Sequence, residues 1–380
     1  MRLLMLSTDK NILISGSESQ RRMMDYGGLV EELHIIVKSQ ISNLKSQKFG
    51  NVFIFPTGNR FKLGYFRSAY KIAKEIIVNC ELKIENCVVT TQDPFETGLV
   101  GWLLKIRFKL PLQIQVHTDF LSPYFAKESI KNKIRVILGK YLVKRADGIR
   151  VVSERVKKSL VTSHLARAGK ISVLPIVYDM NRFNVSQVRT DLHLKYPGYG
   201  FIILAASRLT KEKNVGLAIK AMAEVVKSFP RTLLLVVGHG PESKNLQLTT
   251  YNLQLGNNVI FEPWTSDIVS YYKTADTFAL TSNYEGGARA PAEAVAAARP
   301  VVMTDVPPAG ETVIDGKNGF VVAVNDHRQL AGKLIELISD PDRQGMFSRQ
   351  SLAIAKGFIT KEDYLKLYYQ ALASVQFKSS

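Results

Sequence analysis

Residues that commonly hold metals or form disulfides are scarce in this sequence. Its 380 residues include only two cysteines, Cys80 and Cys87, and the six histidines do not cluster with them. A disulfide framework or a Cys/His metal site normally needs more such residues at closer spacing. We therefore expect buried thiols in a reducing compartment, with neither a disulfide nor a bound metal.

Long apolar runs are also missing. No uncharged apolar stretch approaches the ~20 residues that a membrane-spanning helix needs. The apolar part of the opening MRLLMLSTDK is too short for a signal peptide and predicts a strand instead. We expect a cytoplasmic protein, bound peripherally to the inner face of the cell membrane if it meets a membrane at all.

Basic residues outnumber acidic ones, and most of the excess lies in the first half. The net charge is +18. Residues 1–178 hold 29 Lys/Arg and 14 Asp/Glu (+15), whereas residues 179–380 hold 22 and 19 (+3). This asymmetry indicates that one domain faces an anionic partner, either nucleic acid or anionic lipid.

The chain is long enough for two cores, and both halves alternate β-branched runs with helical segments. This alternation predicts an α/β protein with two Rossmann-like, doubly wound domains facing across a cleft. Ligands of such sheets bind at the carboxyl ends of the strands. The predicted boundaries are a basic N-terminal domain (1–178), a linker (179–200), a C-terminal domain (201–360) and a helix that could return to the first domain (361–380).

Two basic residues follow the first strand of the second half, in AASRLTKEKN. Arg208 and Lys213 would hold a diphosphate at the strand's carboxyl edge, and would stabilise the charge that grows as a phosphate leaves. The alternative is a solvated basic turn. Gly238, in VVGHGPE, is weak evidence for phosphate contact because such a turn often needs glycine for its geometry alone. The three-glycine dinucleotide fingerprint is absent, which disfavours nicotinamide chemistry.

The stretch YEGGARAPAEAVAAARP places Glu285 and Glu293 around a turn of small residues. Pro291 suits a first helical turn, so the pattern predicts a helix over 290–299. The N–H groups of Gly287, Ala288 and Arg289 would then be available to a phosphate. Glu293 suits a ribose diol and Glu285 the hydroxyls of a sugar. Alternatively, both carboxylates only stabilise the helix start, by roughly 0.3–1 kcal/mol each.

These motifs resemble a family. SRLTKEKN, VVGHGP, NVIFEPWTSDIVSYYKTAD and the stretch from SNYEGG to NGFVV follow, in order, the donor domain of group 1 (family 4-like) retaining glycosyltransferases with the GT-B fold. YGGLVEEL, QVHTDF and RADGIRVVSERVKKSLV are weaker matches in the first half. The resemblance implies a nucleotide-sugar donor, UDP- or GDP-linked, held mainly by the second domain, and an acceptor held mainly by the first.

The resemblance also implies roles for individual residues. Arg208 and Lys213 look like the pair on the diphosphate, Glu293 like the ribose ligand, and Glu285 like the carboxylate near the transferred sugar. Gly28, expected in the loop after the first strand, looks like a backbone donor to the diphosphate, and His117 like the histidine at the reacting centre. Trp264 and Thr265 would meet the base largely through backbone groups.

The sequence departs from the family pattern at two places. Gly287, Ala288 and Arg289 replace the usual aromatic, glycine and leucine, and Val177 and Tyr178 replace an Asn-Gly pair. These changes bear on the identity of the sugar. Arg289 would either meet a negative group on the donor or the acceptor, or point to solvent.

The resemblance implies hexosyl transfer with retained configuration, by attack from the same face on an oxocarbenium-like centre. No Asp-x-Asp motif precedes a plausible site, so the basic pair and the helix amides are expected to replace a metal. Glu285 would then stabilise and orient the reacting sugar.

Residues 127–150 hold eight Lys/Arg. On a helical wheel, Ile130, Ile134, Ile137, Leu138 and Tyr141 form one stripe, flanked by the five basic residues Lys131, Lys133, Arg135, Lys140 and Lys144. This pattern fits a helix on an anionic bilayer, with a lipid-linked or polysaccharide precursor as acceptor. It fits an ordinary core helix equally well.

Three other functions stay open: a nucleotide-sugar epimerase on the same fold, a basic nucleic-acid-binding protein, and a catalytically silent sugar-nucleotide binder. The donor motifs argue against the first two. The sequence leaves open the donor base and sugar, the acceptor, the linkage position and the oligomeric state.

Overall fold

The computed structural model describes residues 1–41, 44–58, 64–79, 86–177 and 181–376. The chain forms two compact units. Unit 1 comprises Met1–Leu121, Ser129–Pro175 and Lys361–Ser380, and unit 2 comprises Ser122–Glu128 and Ile176–Thr360. Each unit is a parallel sheet with helices, so the predicted α/β class with two Rossmann-like domains is confirmed.

The strands of the described residues follow in chain order. They are β1 (Arg2–Ser7), β2 (Glu32–Val37), β3 (Gln47–Phe49), β4 (Val52–Pro56), β5 (Cys87–Thr91), β6 (Leu112–Val116), β7 (Gly148–Val151), β8 (Ile171–Val173), β9 (Phe201–Ala206), β10 (Thr232–Val237), β11 (Val259–Glu262), β12 (Thr277–Leu280), β13 (Val301–Thr304) and β14 (Gly319–Val322).

The α-helices of the same residues are α1 (Glu18–Gly27), α2 (Gly64–Asn79), α3 (Glu96–Phe108), α4 (Pro123–Glu128), α5 (Ile130–Val143), α6 (Glu154–Thr162), α7 (Asn181–Val185), α8 (Leu192–Lys195), α9 (Val215–Ser228), α10 (Ser243–Asn252), α11 (Ile268–Thr274), α12 (Arg289–Ala296), α13 (His327–Ile338), α14 (Pro341–Ala355) and α15 (Lys361–Gln376).

Within the described residues, unit 1 has one eight-stranded sheet in the order β3-β4-β2-β1-β5-β6-β7-β8. The pairs are parallel except β3 with β4, which is antiparallel and was not predicted. Its three residues, QKF, are mostly exposed and too few to show a pattern. The central strands are almost fully buried, as expected for a parallel sheet covered on both faces.

The C-terminal helix α15 belongs to unit 1, where it packs against the sheet. Tyr368 is fully buried and its ring stacks on Tyr26, with ring centroids 4.2 Å apart. Gly148, at the start of β7, leaves room for Val375, since a Cβ atom at position 148 would lie 2.3 Å from the Val375 side chain. The helix is therefore part of the core of unit 1.

The sheet of unit 2, counted over the described residues, has six parallel strands in the order β11-β10-β9-β12-β13-β14. The strand order reverses between β9 and β12, and ligands of open α/β sheets bind at such a switch point. Segment 179–200, predicted as the linker, includes α7 and α8, and Phe183 and Leu192 are buried in the core of unit 2. Residues 178–180 lie outside the described residues.

Of the two cysteines, Cys80 lies outside the described residues. Cys87 is a free thiol in β5 and is 1% exposed. Burial raises its pKa to about 12, so the thiol is protonated at pH 7 and packs as a small apolar side chain.

Candidate functional site

Lys213 and Glu285 meet at the carboxyl ends of β9 and β12, which are neighbours in the sheet of unit 2. Lys213 Nζ lies 2.5 Å from Glu285 Oε1, and Ser282 Oγ donates to the same oxygen at 2.7 Å. The Lys213 and Glu285 side chains are only 18% and 11% exposed. The two residues that the sequence assigned to diphosphate and sugar thus form one half-buried, charge-paired cluster.

Hydrogen bonds to backbone carbonyls join the two loops that carry this pair. Asn283 N donates to Glu212 O at 2.8 Å, and Thr281 Oγ1 donates to Lys213 O at 3.2 Å. Asn214 adopts a left-handed conformation (φ 44°) and turns the chain into α9, a conformation that asparagine tolerates better than most residues. The position of Lys213 is therefore set by the loops rather than by its own flexible side chain.

Arg208 follows β9 at the same edge of the sheet. Its side chain is 75% exposed, and its Nη2 lies 3.1 Å from Glu212 Oε1. An exposed ion pair of this kind contributes little to stability, so the guanidinium can turn to another anion at small cost. Arg208 is close to Lys213 along the chain but is held much less tightly.

Glu293 lies in α12, which runs from Arg289 to Ala296 rather than over the predicted 290–299. Its side chain is 11% exposed, and Oε1 accepts from Arg289 Nε at 3.0 Å. The ion pair with Glu293 is neither of the alternatives that the sequence left open for Arg289, a negative group on a substrate or solvent. Burial, followed by the charge of Glu293, raises the pKa of Tyr272 well above its usual range.

The remaining predicted donor residues in unit 2 lie on neighbouring loops. Gly238 has a φ of 139°, and a Cβ atom there would lie 2.0 Å from Ser207 O. This close approach of the loops after β9 and β10 requires glycine whether or not phosphate binds. Trp264 is 55% exposed in the loop after β11, where Thr265 Oγ1 accepts from Asp267 N at 3.0 Å.

Gly287 and Ala288 form the turn before α12. Ala288 is its N-cap residue, in an extended conformation and without a side-chain cap. The start of α12 thus lies directly after this turn of small residues.

Gly28 is not where the sequence placed it. It follows α1 instead of lying in the loop after β1, and its N–H is bonded to Met24 O and Tyr26 O. The prediction was therefore wrong about its location, and the N–H is already used to end the helix. The loop between β1 and α1 contains Gly16 instead, with a φ of 70°, directly before the N-cap Ser17. The small-residue stretch SGS just before a helical pattern was the signal for it.

His117 directly follows β6 in unit 1, and its side chain is exposed. Its Nε2 lies 2.9 Å from Gln115 Oε1. Although the residue is exposed, the protein atoms around the ring desolvate it, and this effect, followed by the positive charges of Arg150 and Arg22, lowers the pKa of His117. All three effects act against the imidazolium, so His117 is neutral at pH 7.

The structure decides between the two interpretations of the apolar stripe on α5, a membrane-facing surface or an ordinary core face. Ile130, Ile134 and Ile137 are 76%, 60% and 71% exposed, and Tyr141 is exposed as well. The stripe therefore does not belong to the core of unit 1. The buried face of α5 consists of Asn132, Gly139, Leu142 and Val143. No helix of the described residues is both long and apolar enough to cross a bilayer.

The basic residues around the stripe differ in their surroundings. Lys133, Lys140 and Lys144 are exposed. Arg135 instead donates to both carboxylate oxygens of Glu96, at 2.6 and 3.1 Å, and its side chain is 29% exposed. Lys131 Nζ lies 3.1 Å from the same carboxylate. Arg135, predicted to contact a membrane, is thus engaged in joining α5 to α3.

A model of the family described as "Glycosyl transferases group 1" matches residues 194–352, which include Arg208, Lys213, Glu285 and Glu293. The computed structure resembles a crystal structure of Anabaena HepE in complex with UDP, with a TM-score of 0.74 and 20% identity, covering 98% of this chain and all of that one. Residues 194–352 therefore match the group 1 glycosyltransferase family, and the chain has the GT-B fold.

Two curated glycosyltransferases are similar to this chain. A capsular polysaccharide biosynthesis glycosyltransferase of Staphylococcus aureus is 26% identical over 252 residues, which is 64% of this chain and 66% of the relative. An alpha-monoglucosyldiacylglycerol synthase of Streptococcus pneumoniae is 28% identical over 300 residues, which is 74% of this chain and 64% of the relative. The match thus spans just under two thirds of the length of each.

Proposed function

We propose that this protein transfers a sugar from a nucleotide-diphosphate sugar to a hydroxyl group of its acceptor. The Lys213–Glu285 pair carries the proposal, because it places a fixed cation and a fixed carboxylate together at the switch point of unit 2. The cation can bind a diphosphate, and the carboxylate can accept hydrogen bonds from the hydroxyls of a sugar. A basic nucleic-acid-binding protein would not need such a buried pair.

In this proposal the diphosphate lies against Lys213, Arg208 and the start of α12. The leaving diphosphate gains negative charge as the sugar bond breaks, and cations and amide groups already in place stabilise that charge without reorganising. Lys213 is held rigidly and Arg208 is free to close on the ligand. These groups make a metal unnecessary for charge neutralisation, so the reaction is proposed to be metal-independent.

We propose retention of configuration, with Glu285 as the group that steadies the positive charge developing on the sugar. Its carboxylate is held by Lys213 and Ser282 on one oxygen, which leaves Oε2 available to the ligand. Glu293, oriented by Arg289, is the proposed ribose ligand. His117 is proposed to contact the sugar.

For the donor we propose a UDP-sugar first and a GDP-sugar as the alternative, because the similar HepE structure has UDP bound. The test is thermal unfolding of the protein with UDP, GDP, ADP and TDP, each with EDTA and with magnesium. A diphosphate at a hundred times its Kd should add roughly 2.7 kcal/mol to the free energy of unfolding. One nucleotide raising Tm equally with EDTA and magnesium supports the proposal, whereas no response to any of them contradicts it.

The acceptor is proposed to be lipid-linked, and the protein to bind the cytoplasmic face of the membrane through α5 and α3. The exposed isoleucines of α5 continue onto α3, where Leu103 and Ile106 are also exposed and Trp102 packs edge-on against Tyr141. We call these seven residues the α3/α5 patch: Trp102, Leu103, Ile106, Ile130, Ile134, Ile137 and Tyr141.

Exposed basic residues surround the α3/α5 patch. They are Arg107, Lys109, Lys133, Lys140, Lys144 and Arg145. Apolar side chains ringed by cations match a surface of anionic headgroups over hydrocarbon, and each basic residue near it contributes about 1 kcal/mol. The similar alpha-monoglucosyldiacylglycerol synthase is named for a lipid product, which supports the same class of acceptor.

Sedimentation with liposomes tests the membrane part of the proposal. Binding to vesicles that contain anionic lipid, weakened by salt and absent with purely zwitterionic vesicles, is the expected result. Failure to bind anionic vesicles at low salt contradicts it and leaves a soluble glycan precursor as the acceptor. Nucleotide binding is tested separately by the nucleotide panel.

A further inference from the structure

A chain of polar side chains runs through the interior of unit 1 from α15 to His117. Gln113 Nε2 donates to Ala371 O at 2.8 Å, and Thr90 Oγ1 donates to Gln113 Oε1 at 3.1 Å. Gln115 Nε2 then donates to Thr90 Oγ1 at 2.9 Å. Thr90, Gln113 and Gln115 are at most 2% exposed, so water does not compete with these bonds.

In each of these hydrogen bonds, the chemistry of the groups decides which one donates and which one accepts. A backbone carbonyl only accepts, so the amide nitrogen of Gln113 must face Ala371 and its oxygen must face Thr90. The single hydroxyl proton of Thr90 is used on that oxygen. Thr90 can therefore only accept from Gln115, which turns the oxygen of Gln115 away from Thr90.

Arg150 fixes the same orientation from the other side. Its Nη1 donates to Gln115 Oε1 at 2.9 Å, and a guanidinium has no acceptor. The Nε2 atom of His117 lies 2.9 Å from this same oxygen. Because an amide oxygen cannot donate, Nε2 must carry the proton.

We infer that Gln115, held by Thr90 and Arg150, is a positioning residue that locks His117 in its Nε2–H tautomer and presents Nδ1 as a hydrogen-bond acceptor for a substrate hydroxyl. Within the described part of the chain, Nδ1 has no hydrogen-bond partner, and the side chain is exposed. The inference rests on the proposed function for the identity of that hydroxyl, which would belong to a sugar.

The charge of Arg150 supports the neutral form of this histidine. Arg150 is 4% exposed, and among the described residues no carboxylate lies within ion-pair distance of it. It donates instead to Tyr364 Oη at 2.5 Å and lies over the rings of Tyr364 and Tyr368. Its positive charge is therefore not cancelled by an acid and opposes a second proton on His117.

The tautomer can be measured without any substrate. Long-range ¹H–¹⁵N spectra of the full chain, labelled at histidine, distinguish Nε2–H, Nδ1–H and imidazolium rings, and His117→Asn identifies the signal. We expect the Nε2–H form at pH 7. Gln115→Met should release the ring into a mixture of tautomers, while Thr90→Val should not, because Arg150 still orients Gln115. An Nδ1–H ring or an imidazolium in the unmodified protein would overturn the inference.

Turnover supplies a second readout. The Asn side chain places an acceptor oxygen near the position of Nδ1, whereas the Gln side chain reaches the position of Nε2. His117→Asn should therefore keep about tenfold more kcat than His117→Gln, the value of one hydrogen bond. Equal losses would count against the acceptor role of Nδ1. If UDP still raises Tm in both variants, the proposed donor site stands whatever the outcome for His117.

Discussion

Lys213 Nζ and Glu285 Oε1 lie 2.5 Å apart, although 72 residues separate them in the chain. The contact arises because β9 and β12 are neighbours, so the loops after them share one edge of the sheet. Each charge is largely shielded from water by the other and by Ser282. A ligand that takes hydrogen bonds from one member must therefore act on both.

Replacing Glu285 with Gln should lower kcat by about 10²-fold or more, the loss typical of removing one electrostatic transition-state group. The affinity for UDP should change much less, because the cations remain. Steady-state kinetics with isothermal titration of UDP separate the two quantities. Glu336→Gln, which also removes the acid of an ion pair, is the control and should leave kcat unchanged. Full turnover in Glu285→Gln would remove the carboxylate from the mechanism.

Arg208→Gln should weaken UDP binding by roughly 10–100-fold, because charge-assisted hydrogen bonds contribute about 1.5–3 kcal/mol. The unfolding free energy without ligand should stay nearly constant, since the Arg208 side chain is exposed. Titration of UDP and chemical unfolding measure the two effects. Lys211→Gln, in the same loop, is the control. An unchanged Kd would place the diphosphate away from Arg208.

Ile134→Asp and Ile137→Asp should reduce sedimentation with anionic liposomes by at least tenfold, because each places a negative charge in the α3/α5 patch. Leu248→Asp is a matched control: Leu248 is 57% exposed on α10 of unit 2. Lys140→Gln should show a smaller loss that disappears at high salt, with Lys244→Gln as its control. If the Leu248 variant loses binding as strongly as the isoleucine variants, the patch is not the contact.

Gly238→Ala should destabilise unit 2 by about 1–3 kcal/mol from backbone strain alone. The added Cβ would also meet the Ser207 carbonyl at 2.0 Å. Chemical unfolding measures the change. Gly256→Ala is the control, because no heavy atom lies within 4 Å of a Cβ atom built at that position. Similar stability of the two variants would show that the loops after β9 and β10 separate easily.

Glu96 should give unit 1 a pH-dependent stability. Burial alone would raise the pKa of Glu96, but the hydrogen bonds and charges of Arg135 and Lys131 outweigh it and lower the pKa below 4.5. A lowered pKa contributes stability above the unfolded value, and this is lost as the pH falls through the folded value. Glu96→Gln should therefore be less stable than the unmodified protein at pH 7, and the difference should shrink below about pH 4.5. Unfolding curves from pH 7 to pH 3 test this.

The strands and the family motifs could be predicted because they depend on neighbouring residues. Buried parallel strands are continuous apolar runs, and the loops after β9 and β12 each carry their charged residues within a short segment. Ion pairs between residues that lie far apart in the sequence could not be predicted in this way. Nothing near Arg135 in the sequence indicates that Glu96, 39 residues earlier, takes its guanidinium.

Gly28 shows a different limit of the sequence. The pair in YGGL was matched to a glycine-containing loop, but glycine is equally common where a helix ends. Only the position of α1 shows that Gly28 ends that helix and that Gly16 lies in the loop before it. The stripe on α5 has the same ambiguity, since a helical wheel does not say which side faces the sheet.

The docking of α15 has a consequence for how this protein is made. Tyr368 and Val375 fill space in unit 1 that no earlier segment of the described chain fills. During translation, unit 2 has all its strands outside the ribosome before α15 emerges, whereas the sheet of unit 1 waits for a helix made some 200 residues after β8. The domain begun first is thus completed last, which reverses the usual order of domain folding on the ribosome.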